Sequence, residues 1–177
     1  MDEQDKQERF EAVVLPHLDA SYNLAHWLTR NEHDAQDVVQ EAFLRAFRFF
    51  DSFRGSNSRS WLLTIVRNTC YTWLQQNRQS DVLTNFEEDK HDVEDTAALP
   101  DVLLLQGDDH QKIRQAVEAL PPEFREVIVL RELEELSYKE IAVIAQIPIG
   151  TVMSRLARAR QQLEQSLTRK LAPETTP

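Results

Sequence analysis

Residues 137–160 constrain the fold more than any other part of the chain, because they predict two helices joined by a tight turn. Ser137-Tyr-Lys-Glu140 fits a capping box, with serine at the helix N-cap and glutamate three residues later. Gln146-Ile-Pro-Ile-Gly150 interrupts the helix that follows, and a long second helix begins at about Thr151. The second helix has one apolar side, formed by Val152, Leu156, Ala159, Leu163 and Leu167. This order of signals indicates a helix-turn-helix unit.

The opposite side of the second helix is polar and basic, with Ser154, Arg155, Arg158, Gln161, Gln162 and Gln165. In a helix-turn-helix, the first turns of the second helix enter the DNA major groove. Arginine can bond a guanine edge there, and serine or glutamine can bond base edges or phosphates. The alternative is an ordinary solvated helix face. The turn, the capping box and the basic bias of residues 150–170 coincide, which favours DNA contact.

The rest of the chain also predicts helices. Only 3 of the 177 residues are glycine, which argues against a β-sandwich and a glycine-fingerprint nucleotide fold. Pro16 is placed to start a helix, and helical spacing continues over 34–50 and 61–74. A Gly-, Ser- and Asn-containing loop, 51–59, separates the last two. We therefore expect an all-α chain.

Acidic side chains are concentrated in the middle of the chain. The net charge is −10 at pH 7, and residues 81–110 contain 10 acidic side chains and 1 basic side chain. This composition is typical of a flexible linker. We predict helical domains over 1–79 and 111–170, an acidic linker over 80–110 and a tail over 171–177. The apolar residues 102–105 could form a short helix or a segment that orders on a partner.

The sequence contains no recognised pattern for catalysis or metal binding. The five histidines are scattered without a ligand spacing such as H-x-x-x-H, and no phosphate-binding loop or nucleophile elbow occurs. The single cysteine, Cys70, is predicted to be a small buried residue. We expect no catalytic residue, metal or cofactor. The polar N-terminus and short apolar runs predict a cytoplasmic protein without membrane insertion.

Helix 34–50 places one apolar residue, Leu44, among Asp37, Gln40 and Glu41 on its polar face. A single exposed leucine usually has no significance. It could also be the centre of a protein-docking patch with a polar rim, although helical geometry alone favours the first interpretation.

The loop after this helix combines basic and aromatic residues, a mixture that suits single-stranded DNA. Ile65 follows Trp61 by four residues and Trp73 follows Ile65 by eight, and we predict that all three lie in the core with Phe53. The better candidates for DNA contact are Arg54, Ser56, Asn57, Ser58 and Arg59.

The two halves of the chain together resemble one family. Residues 34–47, Phe53-Arg-Gly55 and 61–68 look like region 2 of bacterial sigma factors. Residues 120–130, 136–142 and 147–160 look like region 4. Possession of only these two regions, with a short linker, is similar to the extracytoplasmic-function group. The resemblance implies a two-domain, all-α initiation factor that binds core RNA polymerase, reads a −35 element as duplex and captures a −10 element.

The resemblance also implies the residues of three surfaces and a further partner, an anti-sigma factor. Core polymerase would contact Asp34, Asp37, Gln40, Glu41 and Leu44. The −10 element would be captured by Arg54, Gly55, Ser56, Asn57, Ser58, Arg59, Arg67 and Asn68. The −35 element would be read by Tyr138, Pro148, Ile149, Gly150, Thr151, Ser154, Arg155 and Arg158.

Two features depart from the family's pattern. Met153 stands where the family usually has lysine or arginine, and the loop after Gly55 is short. Both leave the promoter preference open. The main alternative function is a conventional helix-turn-helix regulator that binds DNA without polymerase, commonly as a dimer on a palindrome. A purely structural helical adaptor is the second alternative.

Overall fold

The structure, a computed structural model, describes residues 2–83 and 107–171. These residues form eight α-helices and contain no strand, so the all-α prediction is confirmed. The helices are α1 (Glu3–Val14), α2 (Leu18–Thr29), α3 (Glu32–Arg48), α4 (Ser58–Leu83), α5 (Gly107–Glu118), α6 (Pro122–Ile128), α7 (Tyr138–Ala145) and α8 (Ile149–Leu171). Short 3₁₀ turns lie at Leu15–His17 and Phe50–Ser52, and a π-helical turn, Val129–Leu133, follows α6.

The chain divides into two compact units, with the division between residues 97 and 98. Helices α1–α4 belong to the first unit and α5–α8 to the second. Helix α4 continues to Leu83 and α5 begins at Gly107, so helices occupy both ends of the predicted linker. Its residues 84–106, which include 102–105, lie outside the described part, as does the predicted tail beyond residue 171. The predicted domain bounds stay a prediction.

Helices α2, α3 and α4 pack on one another and form the core of the first unit. Asn31 caps α3, because its Oδ1 accepts a hydrogen bond from the Asp34 backbone N–H at 2.9 Å. Fully buried side chains from all three helices meet in this core: Leu24, Leu28, Ala42, Leu62, Leu63, Val66 and Cys70. Burying each leucine stabilises the fold by about 1.5–3 kcal/mol.

The prediction that Phe53, Trp61, Ile65 and Trp73 lie in the core is wrong, because all four are only partly buried. The inward stripe of α4 consists instead of Leu62, Val66 and Cys70, with Leu63 beside it. Trp61 packs at the edge of the unit, with its ring centroid 4.8 Å from that of Phe53. The buried position predicted for Cys70 is confirmed.

An aromatic cluster attaches α1 to the end of α3. The buried Phe10 ring meets Phe47 edge-on at 5.2 Å and Phe50 at 5.4 Å between centroids. Edge-to-face pairs of this kind contribute about 0.5–1.5 kcal/mol beyond the area they bury. Phe50 lies at the start of the loop that leads to α4, so the cluster also fixes where that loop begins.

The second unit contains the predicted helix-turn-helix, formed by α7 and α8. The capping box of α7 is complete: the Ser137 N–H donates to Glu140 Oε1 at 3.0 Å, and the Glu140 N–H donates to Ser137 Oγ at 3.1 Å. Val152, Leu156 and Ala159 are buried, as predicted for the inner side of α8.

The turn between α7 and α8 differs from the prediction in one respect. Helix α8 begins at Ile149, because the Pro148 carbonyl accepts hydrogen bonds from the N–H groups of Thr151 and Val152. Gly150 therefore lies inside the first helical turn, and its Cβ position would meet nothing within 4 Å. The residue that reverses the chain is Gln146, which has a left-handed φ of 61°.

Candidate functional site

The outer face of α8 is exposed and basic. Its polar side chains include Ser154 and Arg158, which are exposed, and Arg155, which is partly buried. Residues 149–163 contain three arginines and no acidic residue; the first acidic residue of the helix is Glu164. Arg160 pairs with Glu132, so Arg155 and Arg158 are the arginines that give this face a positive charge suited to the DNA backbone. Pro148, Ile149 and Gly150 are also exposed, whereas Thr151 is partly buried.

Tyr138, the remaining residue of the predicted −35 set, belongs to a cluster that ties α8 to the preceding elements. The Arg131 guanidinium lies over its ring at 4.7 Å from the centroid. Arg160 Nη2 donates to Glu132 Oε1 at 3.2 Å. Burial lowers the pKa of Arg160, but hydrogen bonds to Tyr138 and Glu132 and the charges of those groups together outweigh burial, so the net shift of the pKa is upward. Arg160 therefore has a structural role, which sequence reasoning missed.

The predicted polymerase-binding face of α3 is exposed around Leu44. Leu44 is 63% exposed, and Asp37, Gln40 and Glu41 are exposed beside it. Glu41 Oε2 pairs with Arg45 Nη2 at 2.6 Å, one helical turn away. A solvent-exposed pair of this spacing stabilises a helix by only about 0.3–0.5 kcal/mol. It can therefore open at small cost when Glu41 meets a partner.

Asp34 lies at the N-terminal end of the same face and is partly buried. Burial raises the pKa of its carboxyl group, and the nearby Asp37 raises it further, while His33 opposes the shift. A cation placed between Asp34 and Asp37 would relieve this repulsion. The acidic end of α3 is thus suited to a basic partner surface.

The predicted −10 residues around the start of α4 are held by local hydrogen bonds. Arg54 Nη1 donates to the Asp51 carbonyl at 3.1 Å, and Asn57 Oδ1 accepts from the Ser60 N–H at 3.0 Å. Ser58 and Arg59 were predicted in the loop but lie in the first turn of α4. Asn57 ends the loop because its side chain bonds a backbone N–H that the helix leaves unpaired. Gly55 and Ser56 are exposed.

His17 contacts this helix start from the beginning of α2. Its Nε2 lies 2.9 Å from Ser58 Oγ. Burial lowers the pKa of His17, and the charge of Arg59 lowers it further. Sequence reasoning missed this contact, which joins positions 41 residues apart. The only local signal is the neighbouring Pro16, which marks a helix start and no tertiary partner.

Arg67 and Asn68 lie further along α4. Arg67 follows Ser58 by nine positions, which correspond to about 14 Å at 1.5 Å per residue. The Arg67 guanidinium stacks on Tyr71 at 4.0 Å, and its Nη1 donates to Asn68 Oδ1 at 3.2 Å. The two side chains form a preorganised polar and aromatic edge, separate from the loop at residues 54–57.

The described residues, 2–83 and 107–171, show neither a metal-binding cluster nor a single membrane-spanning helix. No group of three or more His, Cys, Asp or Glu side chains in these ranges is placed to hold a metal ion. No single helix there is long and apolar enough to span a membrane, although Tyr138–Ala145 and Ile149–Arg169 pass by length and composition as a pair bent by 100°.

A capped helix-turn-helix with a basic second helix, preceded by a separate helical unit, defines a class of DNA-binding proteins. The matches to known protein families identify the class more closely. Residues 13–80 match the family described as Sigma-70 region 2, and residues 110–163 match Sigma-70, region 4. The chain belongs to the sigma-70 family, in its extracytoplasmic-function group.

Individual relatives agree with this assignment. The RNA polymerase sigma-H factor of Pseudomonas aeruginosa is 34% identical over an alignment of 166 residues, which covers 89% of this chain and 86% of the relative. The ECF RNA polymerase sigma-E factor of Escherichia coli K12 is 40% identical over an alignment of 138 residues, which covers 74% of this chain and 72% of the relative. The protein is thus a transcription initiation factor that binds core RNA polymerase and directs it to promoters. The conventional-regulator alternative is not favoured.

Solved structures show the same fold. The sigma factor RpoE of Bartonella quintana, in a co-crystal with the anti-sigma factor NepR, matches with a TM-score of 0.70 and 31% identity. The match covers 91% of this chain and 98% of that one. CnrH, in complex with the cytosolic domain of CnrY, matches with a TM-score of 0.65 over 92% of this chain and 90% of that one, at 24% identity. The CnrH match supports the fold alone.

Proposed function

We propose that the two helical domains use three separate surfaces during initiation. The exposed face of α3 docks on core polymerase, the start of α4 captures the −10 element, and the outer face of α8 reads the −35 duplex. The strongest single support is the run of α8 from residue 149 to residue 163, which is basic and lacks acidic residues. The capping box and the Gln146 turn fix this helix relative to α7.

The docking surface consists of Asp34, Asp37, Gln40, Glu41 and Leu44. Its centre is apolar and its rim is polar, which is the usual anatomy of a protein–protein contact. The carboxylates of Asp34 and Asp37 repel each other at one end of this surface, and a basic group of a partner would relieve that repulsion.

The −10 surface consists of Arg54–Arg59 with Arg67 and Asn68. Extraction of a base from duplex DNA costs a few kcal/mol, and a preformed pocket offsets part of this cost. The Asn57 cap and the contact of Ser58 with His17 hold the loop end in one conformation before DNA arrives. The bound bases therefore need to order less of the protein.

We also propose a regulatory partner, a mode of action and a cellular compartment for the protein. An anti-sigma factor binds the free protein, by analogy with the RpoE–NepR co-crystal. The protein acts by binding, and the polymerase supplies the chemistry. It works in the cytoplasm, where its polymerase and promoters are.

Run-off transcription with core polymerase from the source organism tests the docking surface. Asp37→Ala with Glu41→Ala removes two rim charges, and we expect at least about tenfold weaker holoenzyme formation with unchanged helix content. The matched control is Glu8→Ala with Glu11→Ala, which removes two exposed charges from α1 of the same unit. Full polymerase binding by the folded α3 variant, or equal loss in the control, contradicts the assignment.

A further inference from the structure

The outer face of α8 has an apolar edge that the phosphate and guanine contacts do not explain. Ile149 is 43% exposed and Met153 is 52% exposed, and they lie one helical turn apart. Ala157, also exposed, continues the same line a turn later. At about 100° per residue, this edge lies beside Ser154 and on the opposite flank from Arg155. The exposed face is therefore half apolar and half basic.

The basic half restricts what can cover the apolar half. Arg158 and Arg155 lie on the flank of the outer face away from the edge, and residues 149–163 contain no acidic side chain. This charge favours a polyanionic occupant. In a DNA major groove, the apolar group on a base-pair edge is the 5-methyl group of thymine. Phosphates along one side of the groove would meet the arginines, while a methyl group on a base edge would meet the apolar edge.

We infer that Met153 and Ile149 read thymine 5-methyl groups in the −35 element, so that they determine specificity by apolar contact. The inference rests on the proposed function, in which α8 lies in the major groove. It adds that thymine is required at one or two positions of the element for its methyl group, not for its hydrogen-bonding pattern.

Methionine is suited to this contact. Its side chain is unbranched and flexible, and its thioether is polarisable, so it adapts to a group whose position varies with DNA shape. Ile149 is branched and stiffer, and it forms the N-terminal end of the edge. A lysine at position 153 would instead bind a phosphate or a base acceptor, with a steeper salt dependence.

Replacement of thymine by deoxyuridine tests the inference, because it removes the methyl group and leaves base pairing intact. The preferred −35 element is first selected from a promoter library with holoenzyme. Each thymine in it is then replaced singly by deoxyuridine, and holoenzyme affinity is measured. We expect about fourfold weaker binding at one or two of these positions, the value of one buried methyl-sized group.

Protein variants test whether Met153 and Ile149 cause the loss of affinity on deoxyuridine substitution. Met153→Ala should abolish the deoxyuridine penalty at its position, and Met153→Leu should retain most of it. Val143→Ala is the matched control, since it shortens an apolar residue that is 57% exposed on α7, and the penalty should persist. A selected element without thymine overturns the inference. So does a wild-type protein that is insensitive to deoxyuridine, or a penalty that survives in both Met153→Ala and Ile149→Ala.

Two other outcomes distinguish a failure of this inference from a failure of the proposed function of α8, on which it rests. If holoenzyme protects no DNA in the −35 region, the proposed role of α8 fails. If protection is intact and deoxyuridine has no effect, only the methyl contact fails. Weaker holoenzyme formation by Met153→Ala, without any effect of deoxyuridine, would show that the apolar edge contacts polymerase and would overturn the inference.

Discussion

The starts of α4 and α8 are both proposed to contact promoter DNA, yet they are built in opposite ways. At α4, the polar side chains are engaged within the protein: Asn57 with Ser60, Ser58 with His17 and Arg54 with the Asp51 carbonyl. At α8, backbone hydrogen bonds to Pro148 start the helix, and Ile149, Met153, Ser154 and Arg158 extend into solvent.

The difference corresponds to the two forms of DNA that these elements are proposed to contact: duplex DNA at α8 and a melted strand at α4. A duplex presents a regular groove, and a rigid helix with exposed side chains can enter it. A melted strand has no fixed shape, so the protein must supply the order, and side chains that lock the loop reduce the entropy lost on binding. At the start of α4 the order comes from local hydrogen bonds and from the long-range contact of His17 with Ser58. At α8 it comes from the buried stripe beneath the exposed face.

Truncation of one residue in the buried stripe of α8, Leu156, should have the largest effect on stability and DNA binding. Leu156→Ala leaves a cavity beneath the reading face, and we expect a loss of about 2–5 kcal/mol in the free energy of unfolding. Chemical denaturation followed by circular dichroism measures the loss, and DNA binding should fall with it. Ala157→Ser changes an exposed residue of the same helix and should leave stability within about 0.5 kcal/mol of the wild type.

Two arginines of α8 separate base readout from phosphate contact. If Arg158 pairs with a guanine, Arg158→Ala should cost about 1–3 kcal/mol and relax selectivity at one position. If Arg155 binds a phosphate, Arg155→Ala should weaken all sequences alike and lower the salt slope by about one unit. Holoenzyme affinity across a −35 library at several salt concentrations distinguishes them.

Arg169→Ala is the control for both arginine variants, because it removes an exposed charge from the far end of the same helix. If Arg155→Ala and Arg158→Ala both keep wild-type affinity, selectivity and salt slope, α8 is not the reading helix. The comparison of α8 with the start of α4 as two DNA-contacting elements then no longer holds.

The smallest expected effect concerns pH at the start of α4. His17 has a lowered pKa in the folded protein, relative to an ordinary value of 6.5, because of burial and Arg59. Below about pH 6.5 the unfolded chain therefore binds more protons at this residue than the native protein, and the free energy of unfolding falls as the pH falls. His17→Gln should flatten this dependence, as measured by denaturation between pH 5 and 8. An identical pH dependence in the two proteins would show that the His17 imidazole is not coupled to folding.

The sequence predicted those features that depend on local pattern. The inner stripe of α8 and the capping box of α7 follow from helical spacing and from two residues three apart, and both are present. The exposure of Leu44 followed in the same way from the spacing of its neighbours. These features need no knowledge of distant segments.

Features that depend on packing between distant residues were not predictable in this way. In α4, aromatic residues on two sides left the phase of the helix ambiguous, and packing against α2 and α3 chose Leu62 and Val66 over Trp61 and Ile65. The contacts of His17 with Ser58 and of Arg160 with Glu132 join positions 41 and 28 residues apart. No periodicity relates such positions.

The separation between the inner and outer sides of α8 has an evolutionary consequence. Val152, Leu156 and Ala159 hold the helix in place and are fully enclosed, whereas Ile149, Met153, Ser154 and Arg158 are exposed and contribute little to that enclosure. Substitutions at exposed positions usually change stability by no more than about 0.5 kcal/mol. A duplicated copy of this protein could therefore acquire a different set of target genes through a few changes on the outer side, without first losing its fold.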